Sequence, residues 1–360
     1  MVRFAVLMFV AAGALHAQGV KDMKASYFDV SARQSFLANT RSPLIRSAVA
    51  SLPSCLKLSD VPAPVGHFVI PPHYLADSHG PTNPLEAAAT KSYLAFEKRI
   101  TAGMNQYVAT GSHAEAACAL SQMDEWAQSK ALLDYDAKES SQAWFQVEWT
   151  LSSLGTTESV LVNDTTLDPA QHKRVIAWLD DVAHKMVNFE KPGEGNNHHY
   201  WRALAATSVG VVAKDDDLFA FGVKVFKEAV TQEDTNGAFP LEMARHERAI
   251  HYQFFALQPL VILAEFAERQ GVPLYRYEAT GHTLRDAIVF LGKAADDPAI
   301  AKQYTADKQM ADYGGSDYAP FQFYAARFGV EGLGKSMREG LASSTVASRI
   351  GGNTTVLAAK

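Results

Sequence analysis

Leu85-Glu-Ala-Ala-Ala-Thr-Lys-Ser-Tyr-Leu-Ala-Phe-Glu-Lys-Arg-Ile100, directly after Pro84, is the stretch that decides the fold. Its apolar residues recur at helical spacing, and similar runs cover roughly 113–133, 138–154, 168–187, 198–213, 215–231, 246–269, 279–295 and 318–328. Breakers separate them: Gly111-Ser112, Pro192-Gly193, Asn236-Gly237, Gly271 with Pro273, and Gly314-Gly315. Alternating β-branched residues of the kind a sheet needs are nearly absent, as is a glycine-rich phosphate loop between strand and helix. The expectation is an all-α protein whose antiparallel helical hairpins form a bundle or a curved toroid. No repeat marks a regular solenoid.

Outward from this body, residues 18–83 read as an irregular extension packed on it. Pro53, Pro62, Pro64, Pro71 and Pro72 forbid a long helix there, although a short one fits near 30–50. Residues 84–340 form the main domain, and the Ser/Thr/Gly-rich stretch 341–360 reads as a C-terminal extension, on the surface or disordered. Residues 1–17, one arginine followed by a short apolar run and ending at Ala17, have the form of a secretory signal peptide, which implies the periplasm or the medium. No later stretch is expected to span a membrane. The two cysteines, Cys55 and Cys118, are expected to pair in an oxidising compartment, the alternative being two buried thiols.

The formal charge of −6 argues against nucleic acid, and any acidic ligand must be held by a locally basic groove. Two polar clusters are candidates. Asn196-Asn197-His198-His199-Tyr200-Trp201-Arg202 stands immediately before an apolar helix, where the helix N-terminus favours an anion; the plainer alternative is an asparagine cap with surface histidines. His198 and His199 are a poor zinc pair, because adjacent helical residues point apart and no further ligands are spaced to join them. The second cluster runs Arg245-His-Glu-Arg248-Ala-Ile-His251-Tyr252. If helical, Arg245, Arg248 and Tyr252 share one face, two guanidiniums beside a phenol. The alternative is a solvated face on which Glu242 and Glu247 pair the arginines.

Taken together, Asn196 to Trp201, Gly237-Ala-Phe-Pro-Leu-Glu242 and Arg245 to Tyr252 resemble, in order and separation, the core motifs of the bacterial alginate lyases that act on polymannuronate. Ala117 to Ala127, including Cys118, also looks like a segment of that family. The resemblance implies an incomplete (α/α) toroid with a deep groove and cofactor-free, metal-independent β-elimination on a 1,4-linked polyuronate. It places the catalytic groups on Asn197, His198, Arg245 and Tyr252. The loop Pro71-Pro-His73-Tyr74 to Pro84 departs from the alginate enzymes' lysine-bearing loop and looks more like wider relatives, some of which cut glucuronan. His73, Tyr74 and Arg248 are therefore expected to bind substrate, with Tyr200 and Trp201 stacking on sugar rings; Tyr313 and Tyr318 are weaker candidates.

The chemistry asks for these residue types. Removing the C5 proton of a uronate drives charge onto its carboxylate, and donors aimed there stabilise the enolate. Asn197, His198 and Arg245 can donate. Tyr252 can carry the proton at C5, at the leaving O4, or at both, provided that Arg245 or Arg248 favours its phenolate. His198 is the rival base. The partner expected is an anionic polysaccharide, polymannuronate or glucuronan, taken by a monomer. A glycoside hydrolase would need two carboxylates flanking the bond, and Glu242, Glu247, Asp180 and Asp181 form no recognisable pair; a non-catalytic uronan-binding protein is the third reading.

Overall fold

The computed structural model describes residues 19–76, 79–189 and 195–358. The signal peptide expected at 1–17 lies outside them. The N-terminal segment carries two helices where one was expected. Helix α1 (Val30–Asn39) is capped by the Asp29 side chain, and α2 (Pro43–Ala50) starts afresh because Pro43 cannot continue a helix and Ser42 caps a new one. The proline-rich stretch that follows is irregular, apart from one short 3-10 turn at Cys55–Lys57. Cys55 and Cys118 are disulfide-bonded and tie this segment to the body. A small antiparallel hairpin, β1 (Tyr74–Ala76) with β2 (His79–Thr82), comes next and was not anticipated.

The body begins at α3 (Pro84–Thr110), capped by Asn83 with Pro84 at its first position, where a missing N–H costs nothing. It continues through α4 (His113–Gln128), α5 (Ser141–Leu161), α6 (Pro169–Val187), α7 (Asn197–Ala213) and α8 (Asp216–Thr231). A short α9 (Pro240–Met243) and a 3-10 turn at His246–Arg248 lead into α10 (Ala249–Arg269). Helix α7 packs against α5, α6, α8 and α10, so its residues are buried nearly all round. The same holds for α10, whose His246–Arg269 stretch is by length and composition apolar enough to cross a membrane, against the expectation that no such stretch exists. Its burial inside the shell accounts for the composition.

Five shorter helices, α11 (Leu284–Asp296), α12 (Gly315–Tyr318), α13 (Phe321–Phe328), α14 (Lys335–Leu341) and α15 (Thr354–Ala358), complete the shell, with a two-stranded piece between the last two, β3 (Val346–Ala347) and β4 (Gly352–Asn353). This corrects the reading of 341–360 as a surface or disordered extension. Thr345, Ile350, Thr354 and Val356 have no exposed surface. A polar strip can be buried because its groups satisfy one another: the Thr345 and Thr354 hydroxyls lie 2.8 Å apart, and Asn105 accepts from the Asn353 N–H at 2.6 Å while donating to the Gly351 carbonyl at 2.7 Å. Gly351 is required there, since at φ +99° a Cβ would sit 2.1 Å from the Tyr27 hydroxyl.

Candidate functional site

The site forms where the start of α7, the middle of α5, the α9–α10 turn and the β1–β2 hairpin meet. Asn196 is indeed the cap of α7, its side chain accepting from the His198 N–H at 3.1 Å. Asn197, with no exposed surface, instead turns to the fully buried Glu242 on α9. Its backbone N–H donates to Glu242 Oε1 at 2.6 Å, and its Nδ2 donates to Oε1 at 3.2 Å and Oε2 at 3.0 Å. Burial pushes the Glu242 carboxyl up to about 7, against the pull of Asn197 and Arg245.

His198 faces α5. Its Nδ1 lies 3.3 Å from Glu148 Oε2, and Phe145 stacks on its ring at 3.4 Å between centroids. Glu148, with no exposed surface, also faces Arg202 at 3.8 Å. An Nδ1–H given to a carboxylate fixes the imidazole and leaves Nε2 for the ligand. His199 points elsewhere, toward Arg202 and Glu228.

The second cluster does not form the continuous helix expected of it. Regular α10 starts at Ala249, the preceding three residues are a 3-10 turn, and His246 has φ +53°. The turn still delivers the pairing: the Arg245 guanidinium lies 3.8 Å from the centre of the Tyr252 ring. The Tyr252 hydroxyl is 2.7 Å from that of Tyr74 on β1, so the hairpin closes over the phenol. Arg248, expected to hold substrate, sits 5.2 Å over the Tyr74 ring, donates to the Gly80 carbonyl at 3.3 Å and lies 3.7 Å from Glu247. His73 packs edge-on against Tyr74 and its Nδ1 lies 3.2 Å from Glu86. The phenolate expected of Tyr252 is not favoured. Burial raises its pKa, Tyr74 adds to the rise, and Arg245 opposes it without winning.

Tyr200 and Trp201 are not sugar platforms. Both are fully buried; the Tyr200 hydroxyl lies 2.9 Å from both the Gly195 carbonyl and Gln232 Oε1, which share its one hydrogen, and Trp201 packs on Phe255 with centroids 5.2 Å apart. Tyr313 and Tyr318 likewise pack on Phe254. The aromatic groups at the site are Phe145, Trp149 and Phe255, with Trp149 5.7 Å from His198 and 6.2 Å from Phe255. Arg349 of the C-terminal segment lies 4.0 Å over Trp149. A cavity of about 600 Å³ opens beside them, lined in part by His251, Phe255, Gln258, Asp317, Arg349 and Asn353. Glu148, Phe145 and Trp149 escaped the sequence reading. The available signal was a pair of acids, Glu148 and Glu158, inside the otherwise uncharged run Val147 to Leu161.

Among the described residues, Asp180, His184 and Asp215 bring three potential metal-ligand atoms within 4.8 Å of one another, on α6 and at the cap of α8 rather than around Tyr252. Glu242 and Glu148 are each sealed behind an amide or an imidazole, so they do not flank a ligand as a hydrolase pair must.

A helical shell converging on an amide, an imidazole, a guanidinium and a phenol defines a protein built to hold a carboxylate next to a proton carrier. The comparisons then identify the family. The alginate lyase family model matches residues 70–301, and the chain belongs to that family. It is 36% identical to the crystal structure of alginate lyase A1-III from Sphingomonas species A1, with a TM-score of 0.87 over 95% of this chain and 97% of that one. That fold is an (α/α) toroid, as expected here. A histidine-to-alanine and a tyrosine-to-phenylalanine variant of that enzyme, each complexed with a tetrasaccharide, match with TM-scores of 0.89. The two substituted residues are 54 positions apart in that enzyme, the separation of His198 and Tyr252 here. An alginate lyase of Pseudomonas syringae pv. tomato is 32% identical over 228 residues, 61% of this chain and 59% of that relative. A polysaccharide lyase of Stenotrophomonas maltophilia is 31% identical over 211 residues, 57% and 62%. The matched region thus spans about three fifths of these curated relatives.

Proposed function

We propose that this protein is a polysaccharide lyase that cleaves a β-1,4-linked polyuronate, polymannuronate foremost, by β-elimination to give unsaturated uronate ends. The observation that carries the reading is the convergence of Tyr252, Arg245, His198 and Asn197 from two separate clusters of the sequence onto one buried place beneath a hairpin. Arg245, the Asn197 amide and, when the imidazole carries protons on both nitrogens, the His198 Nε2–H receive the uronate carboxylate and stabilise the charge that develops when C5 loses its proton. Tyr252 gives its own hydroxyl proton to the departing O4 as its oxygen takes the C5 proton; the C4–O4 bond breaks, the C4=C5 double bond forms and the phenol is restored. Its phenol is neutral at rest, and the Arg245 guanidinium on its ring lowers the cost of the transient phenolate. The hairpin excludes water from the transfer.

The stretch from His73 to Pro81 favours a second substrate, glucuronan, because its sequence resembles the loop of wider relatives, some of which cut glucuronan, more than the lysine-bearing loop of the alginate enzymes. We further propose that the protein is exported, on the form of residues 1–17, and acts as a monomer. Incubation with polymannuronate, polyguluronate and glucuronan, followed by ultraviolet absorbance, tests the reading. Unsaturated ends from polymannuronate are expected. New reducing ends without absorbance would indicate a hydrolase, and binding without any product a carrier.

A further inference from the structure

The Glu242 carboxylate is turned to Asn197 rather than to His198 or Tyr252. Asn197 gives this carboxylate three hydrogen-bond contacts, one from the backbone N–H and two from Nδ2. Asn197 is the first residue of α7, one of the helix-start positions whose N–H has no partner within the helix, and Asn196 spends its own side chain on His198. Glu242 therefore supplies an acceptor from a different element, α9, three residues before Arg245. It ties the Asn197–His198 start of α7 to the turn that places Arg245 on Tyr252. It also fixes the amide. Asn197 Oδ1 is buried without a hydrogen-bond partner, so Glu242 alone decides the orientation, and a flipped amide would set oxygen against carboxylate. The Nδ2 contacts to Oε1 and Oε2, 3.2 Å and 3.0 Å, are those of one hydrogen shared between two oxygens, which leaves the second for a ligand.

We propose that Glu242 is a positioning residue of the elimination: its buried carboxylate holds the Asn197 amide with one N–H turned to the uronate carboxylate, and it acts on the reaction chiefly through Asn197. This rests on the lyase reading above. The test is a double-mutant cycle on polymannuronate, reading kcat and KM from unsaturated product, with thermal melts of each variant. Glu242→Gln can keep its carbonyl oxygen on the Asn197 backbone N–H but sets its own NH2 against Asn197 Nδ2, where Oε2 now accepts. Its kcat should fall about a hundredfold with KM changed less than threefold, since the bond serves the transition state more than binding. In an Asn197→Ala background the same substitution should cost less than threefold. Should Glu242→Gln fail to fold, Glu242→Asp, which keeps the charge one methylene short, carries the same cycle. A kcat within threefold of wild type for Glu242→Gln, or an equal loss in both backgrounds for whichever variant is used, would overturn the proposal. Wild-type protein that forms no unsaturated product would instead remove the lyase reading beneath it.

Discussion

Tyr252 shows how much a single side chain owes to its surroundings. Its neighbours are a guanidinium on the ring face, a second phenol at 2.7 Å and a closed hairpin, and burial outweighs the cation. The residue types at this place were legible in the sequence because amide, imidazole, guanidinium and phenol crowd into two short clusters. Their orientation was not. Tyr200 and Trp201 looked like sugar platforms, yet α7 is enclosed by α5, α6, α8 and α10 and has no open side to present them on. Tyr200→Phe should accordingly leave kcat and KM within twofold of wild type while costing roughly 1 kcal/mol of stability from its lost hydrogen bonds, as a denaturant titration would show. A several-fold rise in KM would restore the stacking role. Glu148→Gln should lower kcat by tenfold or more, measured as unsaturated product, because it removes the carboxylate that fixes His198; unchanged kcat would mean that the imidazole does not depend on Glu148 for its position.

At the scale of elements, helical periodicity located every long helix, since each repeats its apolar spacing over several turns, and bounded α6, α7, α8 and α10 to within about three residues, while α3 and α5 run on well past their expected ends. It failed where short-range geometry decides. The run 246–269 opens with a 3-10 turn containing a residue at positive φ, and that turn, rather than a helical face, sets Arg245 on Tyr252. The β1–β2 hairpin has too few residues for an alternating pattern to register. The C-terminal threonines read as solvated because their mutual hydrogen bonds leave no mark in composition. Tyr74→Phe isolates the hairpin's part: it removes the hydroxyl partner of Tyr252 and keeps the ring under Arg248. The expected result is a loss of about tenfold in kcat/KM with an unchanged melting temperature, and wild-type kinetics would mean that the hairpin only covers the site.

For the whole molecule, two buried features set stability. The Cys55–Cys118 bond closes a separation of 63 residues, for which chain entropy gives about 4 kcal/mol. Replacing both cysteines with serine should lower the unfolding free energy by that order, as a urea titration would measure. Glu233 works the other way. Both its carboxyl oxygens are buried without hydrogen-bond partners, and burial, with Asp286 and Asp234 nearby, pushes it up to about 9. The native state then keeps a proton that the unfolded chain releases near its ordinary value of 4.5, so stability from this group is lost as pH rises between about 5 and 9. Glu233→Gln should flatten that slope and stabilise the protein by roughly 1–3 kcal/mol at pH 8, and a wild-type-like pH dependence of melting would contradict it. The shell and its site meet in one function, and the most direct test is a time course of ultraviolet absorbance on polymannuronate with wild type and Tyr252→Phe side by side. Steady growth of unsaturated ends with wild type, and none with a folded Tyr252→Phe, is the result predicted; equal growth with both would contradict the account.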